Sequence, residues 1–354
     1  MYAPLRLALI GESLSGKTTL FSALSGIEYT RAVAAPGMSA TIKVHEPRMR
    51  TILGVVGGPK KLVEPSLEIL DARSIQFGTR QDENREILAT LRECDGLVAV
   101  LKCYESELDP AGLAAAVREQ SALLRTELVL ADMEIIQRRM EKLEVQLKRP
   151  SPSRDADQME LQILTGVLAA VAKEDLTVFS RLTPEDEKRL RGFQFLSAKP
   201  FLAVANLSET GWTTGRPDPA DATAAFPFKL EHELRAMAQE ERIEFMKDYR
   251  VDRLLVEELP RKLYYAMGRV MYFTIGKNDI TSWEMPRGTS AFDAAGCIHS
   301  DIQKGFIRAE VVGFDDWMKY GSVKAAADNA RLKLVGKSSP IEDGDIVLFK
   351  FGGG

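Results

Sequence analysis

GESLSGKT, residues Gly11–Thr18, decides how the rest of the chain is read. It satisfies G-x-x-x-x-G-K-[ST], the phosphate-binding P-loop. Upstream, Leu5, Leu7 and Leu9 alternate with Arg6 and Ala8, which predicts a strand running through Ile10. Downstream, Leu20, Phe21 and Leu24 recur at helical spacing, and Gly26 stands where that helix would end. A strand, a glycine loop and a helix N-terminus in this order make an anion site. Backbone N–H groups converge on phosphate, and the helix dipole favours its negative charge. The candidate phosphate-binding residues are Gly11, Ser13, Leu14, Ser15, Gly16, Lys17, Thr18 and Thr19. Gly11 and Gly16 permit backbone conformations that a side chain would block. Lys17 would reach the β- and γ-phosphates, and the Thr18 hydroxyl would sit on Mg²⁺.

The bulk properties narrow the class. A chain of 354 residues suits two or three domains. With 45% hydrophobic and 28% charged residues it can bury a sizeable core, and it is expected to be soluble and cytoplasmic. No apolar run approaches the roughly 18 to 20 residues that span a bilayer, so no membrane association is expected. Met1 to Ile10 is apolar but feeds the P-loop, so a core strand is expected there and not a cleaved signal. Cys94, Cys103 and Cys297 show no metal spacing and an odd count, which suits a reducing compartment; Cys94 and Cys103 read as core fillers. His45, His232 and His299 are too scattered for a metal site or a catalytic dyad. The net charge of −4 argues against global attraction to a polyanion. Contact with RNA would need a local basic patch, and no DNA partner is expected.

Residues 1 to about 110 alternate strands and helices. Leu67, Ile69 and Leu70 predict a strand ending at Asp71; Ile87, Leu88 and Leu91 predict a short helix. Leu97–Leu101 is a continuous apolar run, as in a strand buried on both faces of a parallel sheet, and Phe201–Ala205 is a second one. Helix fills the gap between them. Val129, Met133, Ile136, Met140, Leu143 and Leu147 step by four and three, a coiled-coil seam. RPSPSRD, Arg149 to Asp155, breaks that helix, and Leu161, Leu164, Leu168 and Val171 begin another period. An antiparallel hairpin forming a protruding arm is expected; two amphipathic helices lying on the core is the alternative. From Met271 onward the runs MYFTIG, TSWEMP, GFIRAEVVGF, ARLKLVG and IVLFKFG read as short strands around one helix near Ala291 to Ile302. The expected divisions are 1–115 with 195–268 as a discontinuous nucleotide-binding domain, 116–194 as a helical insertion, and 269–354 as a C-terminal domain.

Other parts decide what is done with a bound phosphate. Asp71 is placed like a Walker B aspartate that holds Mg²⁺. Thr41, in the loop expected after the first helix, could add a switch-type hydroxyl to the same ion, the alternative being an ordinary loop threonine. Asn206-Leu207-Ser208-Glu209 follows the Phe201 strand, where a base-recognition loop belongs. Guanine-specific proteins read N-K-x-D there. Leu207 for Lys removes the aliphatic stem stacked on the base, and Glu209 for Asp displaces the carboxylate, which argues against strict guanine selectivity. Asn206, Leu207 and Glu209 are the candidate base-binding residues.

With these motifs in hand, the chain resembles the YchF or Obg-like ATPases nearly end to end. The match runs through Gly11–Thr18, the first switch at Ala40-Thr41-Ile42, and Val44 to Arg48, similar to V-x-D-P-R with Glu46 for Asp. It continues at Thr126-Glu127-Leu128 and Leu130-Ala131-Asp132 before the arm, and at Asn206 with Glu209. It closes at Ala294-Ala295-Gly296, Ile298-His299, Asp301 and Lys304 to Val311, which resembles the family's TGS domain. The resemblance implies an α/β P-loop NTPase sheet with an inserted antiparallel helical arm and an α+β, ubiquitin-like β-grasp domain. It also implies ATP in preference to GTP, Mg²⁺-dependent hydrolysis and ribosome association; the lack of an obvious base predicts a low intrinsic rate, and a monomer is expected. The family's second switch, D-x-A-G, reads Asp71-Ala72-Arg73-Ser74 here, so a serine replaces the glycine whose N–H meets the γ-phosphate. If that position needs φ above zero, a side chain costs on the order of 1 kcal/mol. Ile75 fits the hydrophobic residue that the family places where Ras-type proteins keep a catalytic glutamine, and Gln76 lies one position later. Lys17, Thr41 and Ile75 are thus the candidate catalytic positions. A GTPase, and a nucleotide-binding regulatory module with little hydrolysis, stay open as alternatives.

Overall fold

A computed structural model describes residues 4–34, 37–75, 81–105, 109–210, 212, 222–249, 251 and 253–352. Its strands are β1 (Leu5–Ile10), β2 (Ser39–Lys43), β3 (Lys61–Val63), β4 (Ser66–Asp71), β5 (Gly96–Cys103), β6 (Phe201–Leu207), β7 (Ala224–Phe226), β8 (Arg269–Ile275), β9 (Asp279–Pro286), β10 (Phe306–Val312), β11 (Lys333–Val335) and β12 (Ile346–Phe351). Helices α1 (Lys17–Ser25), α2 (Tyr29–Ala34), α3 (Pro47–Val56), α4 (Gln81–Arg92), α5 (Pro110–Leu147) and α6 (Arg154–Val171) precede β6. The chain divides into two compact units, Arg6–Ser39 with Ile69–Arg250, and Met1–Leu5 with Ala40–Glu68 and Val251–Gly354.

The first unit is built on the strand run β4-β1-β5-β6-β7, with β1–β5, β5–β6 and β6–β7 parallel. Seven of the eight β5 residues are buried, the signature of a strand covered on both faces. The P-loop leaves β1, Asp71 ends β4 and Asn206 lies near the end of β6. In open α/β sheets such strand ends are where ligands bind. Cys94 and Cys103 sit in the hydrophobic core of this unit, and burial pushes the Cys103 thiol up to about 11.

Helix α5 spans 38 residues, started by Asp109, whose carboxylate accepts the Gly112 N–H, with Pro110 in the first turn. Its two halves do different work. Leu113, Val117, Leu124 and Leu128 pack on Ala99, Leu101, Ala203 and Ala205 of the sheet. Val129, Ile136 and Leu143 pack instead on Leu164, Val167 and Val171 of α6. The hairpin is tied by Arg139, which donates to both Glu160 oxygens at 2.7 Å. Where the sequence divides core from insertion at residue 116, the structure thus gives the first half of α5 to the sheet. A leucine period does not say which partner fills it.

At the root of the hairpin Asp132 is fully buried. It accepts from the main-chain N–H of Leu196 (3.1 Å) and Ser197 (2.7 Å), from the Ser197 hydroxyl (2.7 Å) and from Arg92 Nη1 (2.6 Å). One carboxylate therefore joins α4, α5 and the chain leading into β6.

The second unit carries the sheet ordered β11-β10-β12-β8-β9-β3. β8–β9 is an antiparallel hairpin, β12 lies parallel to β8, and β10 is antiparallel to β12 and β11. With the helix Ala291–Ile298 packed on it, this is a β-grasp arrangement. Two features differ from the sequence reading. β3 pairs in parallel with β9, and Met49 and Ile52 of α3 join Phe273, Ile280 and Trp317 in one core. Residues 40–68, assigned from sequence to the nucleotide domain, thus group with the C-terminal residues. Glu46 anchors them: its buried carboxylate caps α3 through the Arg48 N–H (3.0 Å) and pairs with the guanidinium groups of Arg48 (2.9 Å) and Arg261 (3.3 Å). In addition, β10 ends at Val312, and Phe314–Tyr320 is a helix with Asp315 and Asp316 in its first turn and Gly321 at φ 71° closing it. The expected helix of 291–302 is two helices, separated by His299 in an extended conformation whose Nδ1 accepts the Asp301 N–H.

Candidate functional site

The P-loop geometry depends on its two glycines. Gly11 has φ 150°, and a Cβ there would lie 2.5 Å from the Val100 carbonyl oxygen. Gly16 has φ 102°, and its Cβ would meet Asn206 Nδ2 at 2.5 Å. Leu14 also adopts φ 64° and is 77% exposed, a strained conformation for a side chain of this size. The Tyr104 hydroxyl donates to the Leu14 carbonyl at 2.7 Å and holds the turn. Leu14→Asn, which tolerates left-handed backbone, should raise stability by up to about 1 kcal/mol. The measurement is a higher denaturant midpoint at unchanged slope.

Helix α1 begins at Lys17 with no side-chain cap and no acidic residue in its first turn. Its first N–H groups are left for an anion. Lys17 is 6% exposed, and its Nζ donates to the carbonyls of Gly11 (3.0 Å) and Glu12 (2.7 Å) and to Ser74 Oγ (2.9 Å). Burial lowers its pKa to about 8, against the opposing pull of Asp71 and Glu12.

Asp71 is 3% exposed. One of its oxygens accepts the Thr18 hydroxyl at 2.8 Å, while Oδ1 is buried with no hydrogen-bond partner among the described residues. Burial raises its pKa, with Thr18 and Lys17 acting the other way. A buried carboxylate oxygen without a partner, beside a hydroxyl, is the donor set that a hard divalent cation takes. Among the described residues there is no cluster of three histidine, cysteine or acidic side chains of metal-binding type, so the pair stands as a carboxylate and a hydroxyl.

A cavity of about 800 Å³ opens on these groups, within the size range of small-molecule sites. Ser13, Leu14, Gly16, Lys17, Thr18, Thr19 and Asp71 line one part of it, and Asn206, Leu207 and Glu209 another. Both ends of the Asn206 amide are already used: Oδ1 accepts the Phe228 N–H and Nδ2 donates to the Ser15 carbonyl, each at 3.1 Å. Asn206 therefore clamps the P-loop to the helix Phe228–Ala236. Glu209 is 3.4 Å from Lys229 Nζ. Ser74, which the sequence marks as the replacement for a switch glycine, also lines the cavity, together with Tyr29, Val33, Tyr104, Phe228 and Lys229, none of which the sequence singles out. They come from elements far apart along the chain and carry no motif. Gly11 and Ser15 stand behind the cavity wall, Ser15 only 1% exposed.

Neither Ile75 nor Thr41, the other two candidate catalytic positions, lines this cavity. Ile75 is 2% exposed and packs in the hydrophobic core with Ala72, Leu70 and Leu91. Thr41 belongs to the other compact unit, on β2 and not in a loop, with its side chain exposed. Gln76 lies outside the described residues. Arg73 is 57% exposed and pairs loosely with Glu86 at 3.6 Å.

Comparison with known proteins follows the same lines. Residues 270–352 match the family YchF-GTPase_C, described as "Protein of unknown function (DUF933)". A protein of Pasteurella multocida named "Ribosome-binding ATPase YchF" is 27% identical over 361 residues, covering 97% of this chain and 98% of the relative. The protein of that name from Bacillus subtilis is 27% identical over 368 residues with the same coverage. Among solved structures, the Schizosaccharomyces pombe YchF GTPase superposes with a TM-score of 0.76 at 21% identity, over 99% of this chain and 98% of that one, a likeness of fold. From the P-loop to the β-grasp sheet, the chain is similar over nearly its full length to proteins of the YchF family.

Proposed function

We propose that this chain is a P-loop ATPase of low intrinsic rate that binds Mg²⁺-nucleotide in the P-loop cavity and works in association with the ribosome in the cytoplasm. The observation that carries the reading is the juxtaposition of the Lys17 ammonium with Thr18 and the partnerless oxygen of Asp71 beside one cavity. Thr18 and Asp71 would hold Mg²⁺, which neutralises charge on the phosphates when bound. Lys17 and the first N–H groups of α1 orient the polyphosphate, and Gly16 lets the backbone come close to it. Ribosome association rests on the name carried by relatives that match nearly the whole chain. No helix among the described residues is long and apolar enough to cross a membrane. A monomer is proposed, with 116–194 as the inserted arm and 269–354 as a TGS-type domain.

ATP is favoured over GTP because Leu207 replaces the stacking lysine and Glu209 is engaged by Lys229. Calorimetric titration with all four nucleoside triphosphates, with and without Mg²⁺, tests this. ATP should bind most tightly and lose affinity when a chelator removes Mg²⁺; tighter GTP binding overturns the base assignment. Phosphate release, measured with and without ribosomes, tests the rest. A second reading, nucleotide binding with little turnover, is favoured by Ile75, whose burial leaves no polar group at that switch position. A single-turnover assay separates the two, since ATP intact on the protein after many hours supports the second.

A further inference from the structure

We propose that the Ser74 hydroxyl is an internal substitute for a terminal phosphate oxygen, holding one N–H of Lys17 and so biasing the site toward diphosphate over triphosphate. The inference rests on nucleotide binding at the P-loop as read above. Ser74 stands where the resemblance places a glycine, and the sequence suggested a backbone reason for concern. The structure moves the effect to the side chain. The described non-glycine residues at positive φ are Leu14, Glu174, Gln194 and Ala330, so Ser74 is accommodated without left-handed strain.

A lysine ammonium has three N–H donors and no acceptor. All three are taken, by the carbonyls of Gly11 and Glu12 and by Ser74 Oγ. The two carbonyls belong to the P-loop itself, whereas Ser74 comes from the segment after β4. Asp71, the candidate cation ligand, lies three residues before Ser74 on that same segment. The end of a polyphosphate that shares the cation would therefore reach Lys17 from the side of Ser74. A diphosphate asks the ammonium for one N–H and leaves one for a P-loop carbonyl and one for Ser74. A triphosphate asks for two, and the Ser74 contact is the one released. A glycine at this position would impose no such competition.

The test is calorimetric titration of the full chain with Mg²⁺-ADP and with a non-hydrolysable β,γ-imido analogue of ATP. Ser74→Ala and Ser74→Gly should each raise the triphosphate-to-diphosphate affinity ratio about tenfold, the scale of one lost hydrogen bond to a charged group. Ser74→Thr keeps the hydroxyl and should leave the ratio within about twofold of wild type. An unchanged or lowered ratio in Ser74→Ala, with ADP still bound, overturns the inference and leaves nucleotide binding standing. A rise in Ser74→Gly alone also overturns it, because backbone freedom is then the cause. Absence of binding by the wild-type chain to either nucleotide would bring down this inference together with the nucleotide reading.

Discussion

Lys17→Met should weaken Mg²⁺-nucleotide binding by about a hundredfold or more. The ammonium is held beside the cavity by two P-loop carbonyls and Ser74, so it reaches a phosphate with little reorganisation. Truncating one partner of a desolvated charge pair typically costs roughly 2–5 kcal/mol, and a hundredfold corresponds to roughly 3. Met keeps the length and apolar stem of the side chain and removes only the charge. Because burial already depresses the Lys17 pKa, the nucleotide-free variant should be no less stable than wild type. The two readouts must therefore separate, with affinity lost and the unfolding midpoint kept. A dissociation constant within threefold of wild type would show that this lysine does not meet the phosphates.

Asp132→Ala should cost about 3–5 kcal/mol of stability, with no loss of any group near the cavity. The buried carboxylate answers two main-chain N–H groups, one hydroxyl and the 15%-exposed guanidinium of Arg92. Its removal leaves a buried cation and two buried donors short of their acceptor, the costly way to break a buried pair. Asp132→Asn should recover part of the loss, since one acceptor oxygen remains. Removing Glu134, which pairs on the same helix with the 53%-exposed Arg138, should change stability by only about 0.5 kcal/mol. Chemical unfolding with far-UV detection measures all three. A loss below about 1 kcal/mol for Asp132→Ala would mean that the root of the hairpin relaxes around the missing carboxylate.

The contrast between these two residues shows what one chain can reveal before it is folded. Two of the three partners of Lys17 lie five and six residues away, and a local motif is enough to find such a residue; only the third, Ser74, is distant. Asp132 answers partners 40 to 65 positions distant, and its neighbours in sequence say only that it lies on a helix. The same rule separates the other readings. The strands around the P-loop, the leucine period of the arm and most of the C-terminal strands repeat at 2 or near 3.6, and were read correctly. The helix Phe314–Tyr320 has no counterpart in the sequence reading, where the strand run extends to Phe314, because its two turns are too short for a period to accumulate. The pairing of β3 with β9 joins residues more than 200 positions apart and leaves no mark in either segment.

From the order of residues alone came the phosphate loop, the parallel strands that present it, the helical hairpin and most of the short C-terminal strands. Each of these is written in local periodicity or in a short motif whose backbone demands leave few alternatives, such as glycine at Gly11 and Gly16. Folding alone decided that β3 joins the C-terminal sheet, that Asn206 clamps the loop, that Ile75 is core, and that Ser74 holds the lysine. Those outcomes depend on which distant groups meet in space. A side chain has chemistry before the chain folds, but it acquires partners only when the fold excludes water around it.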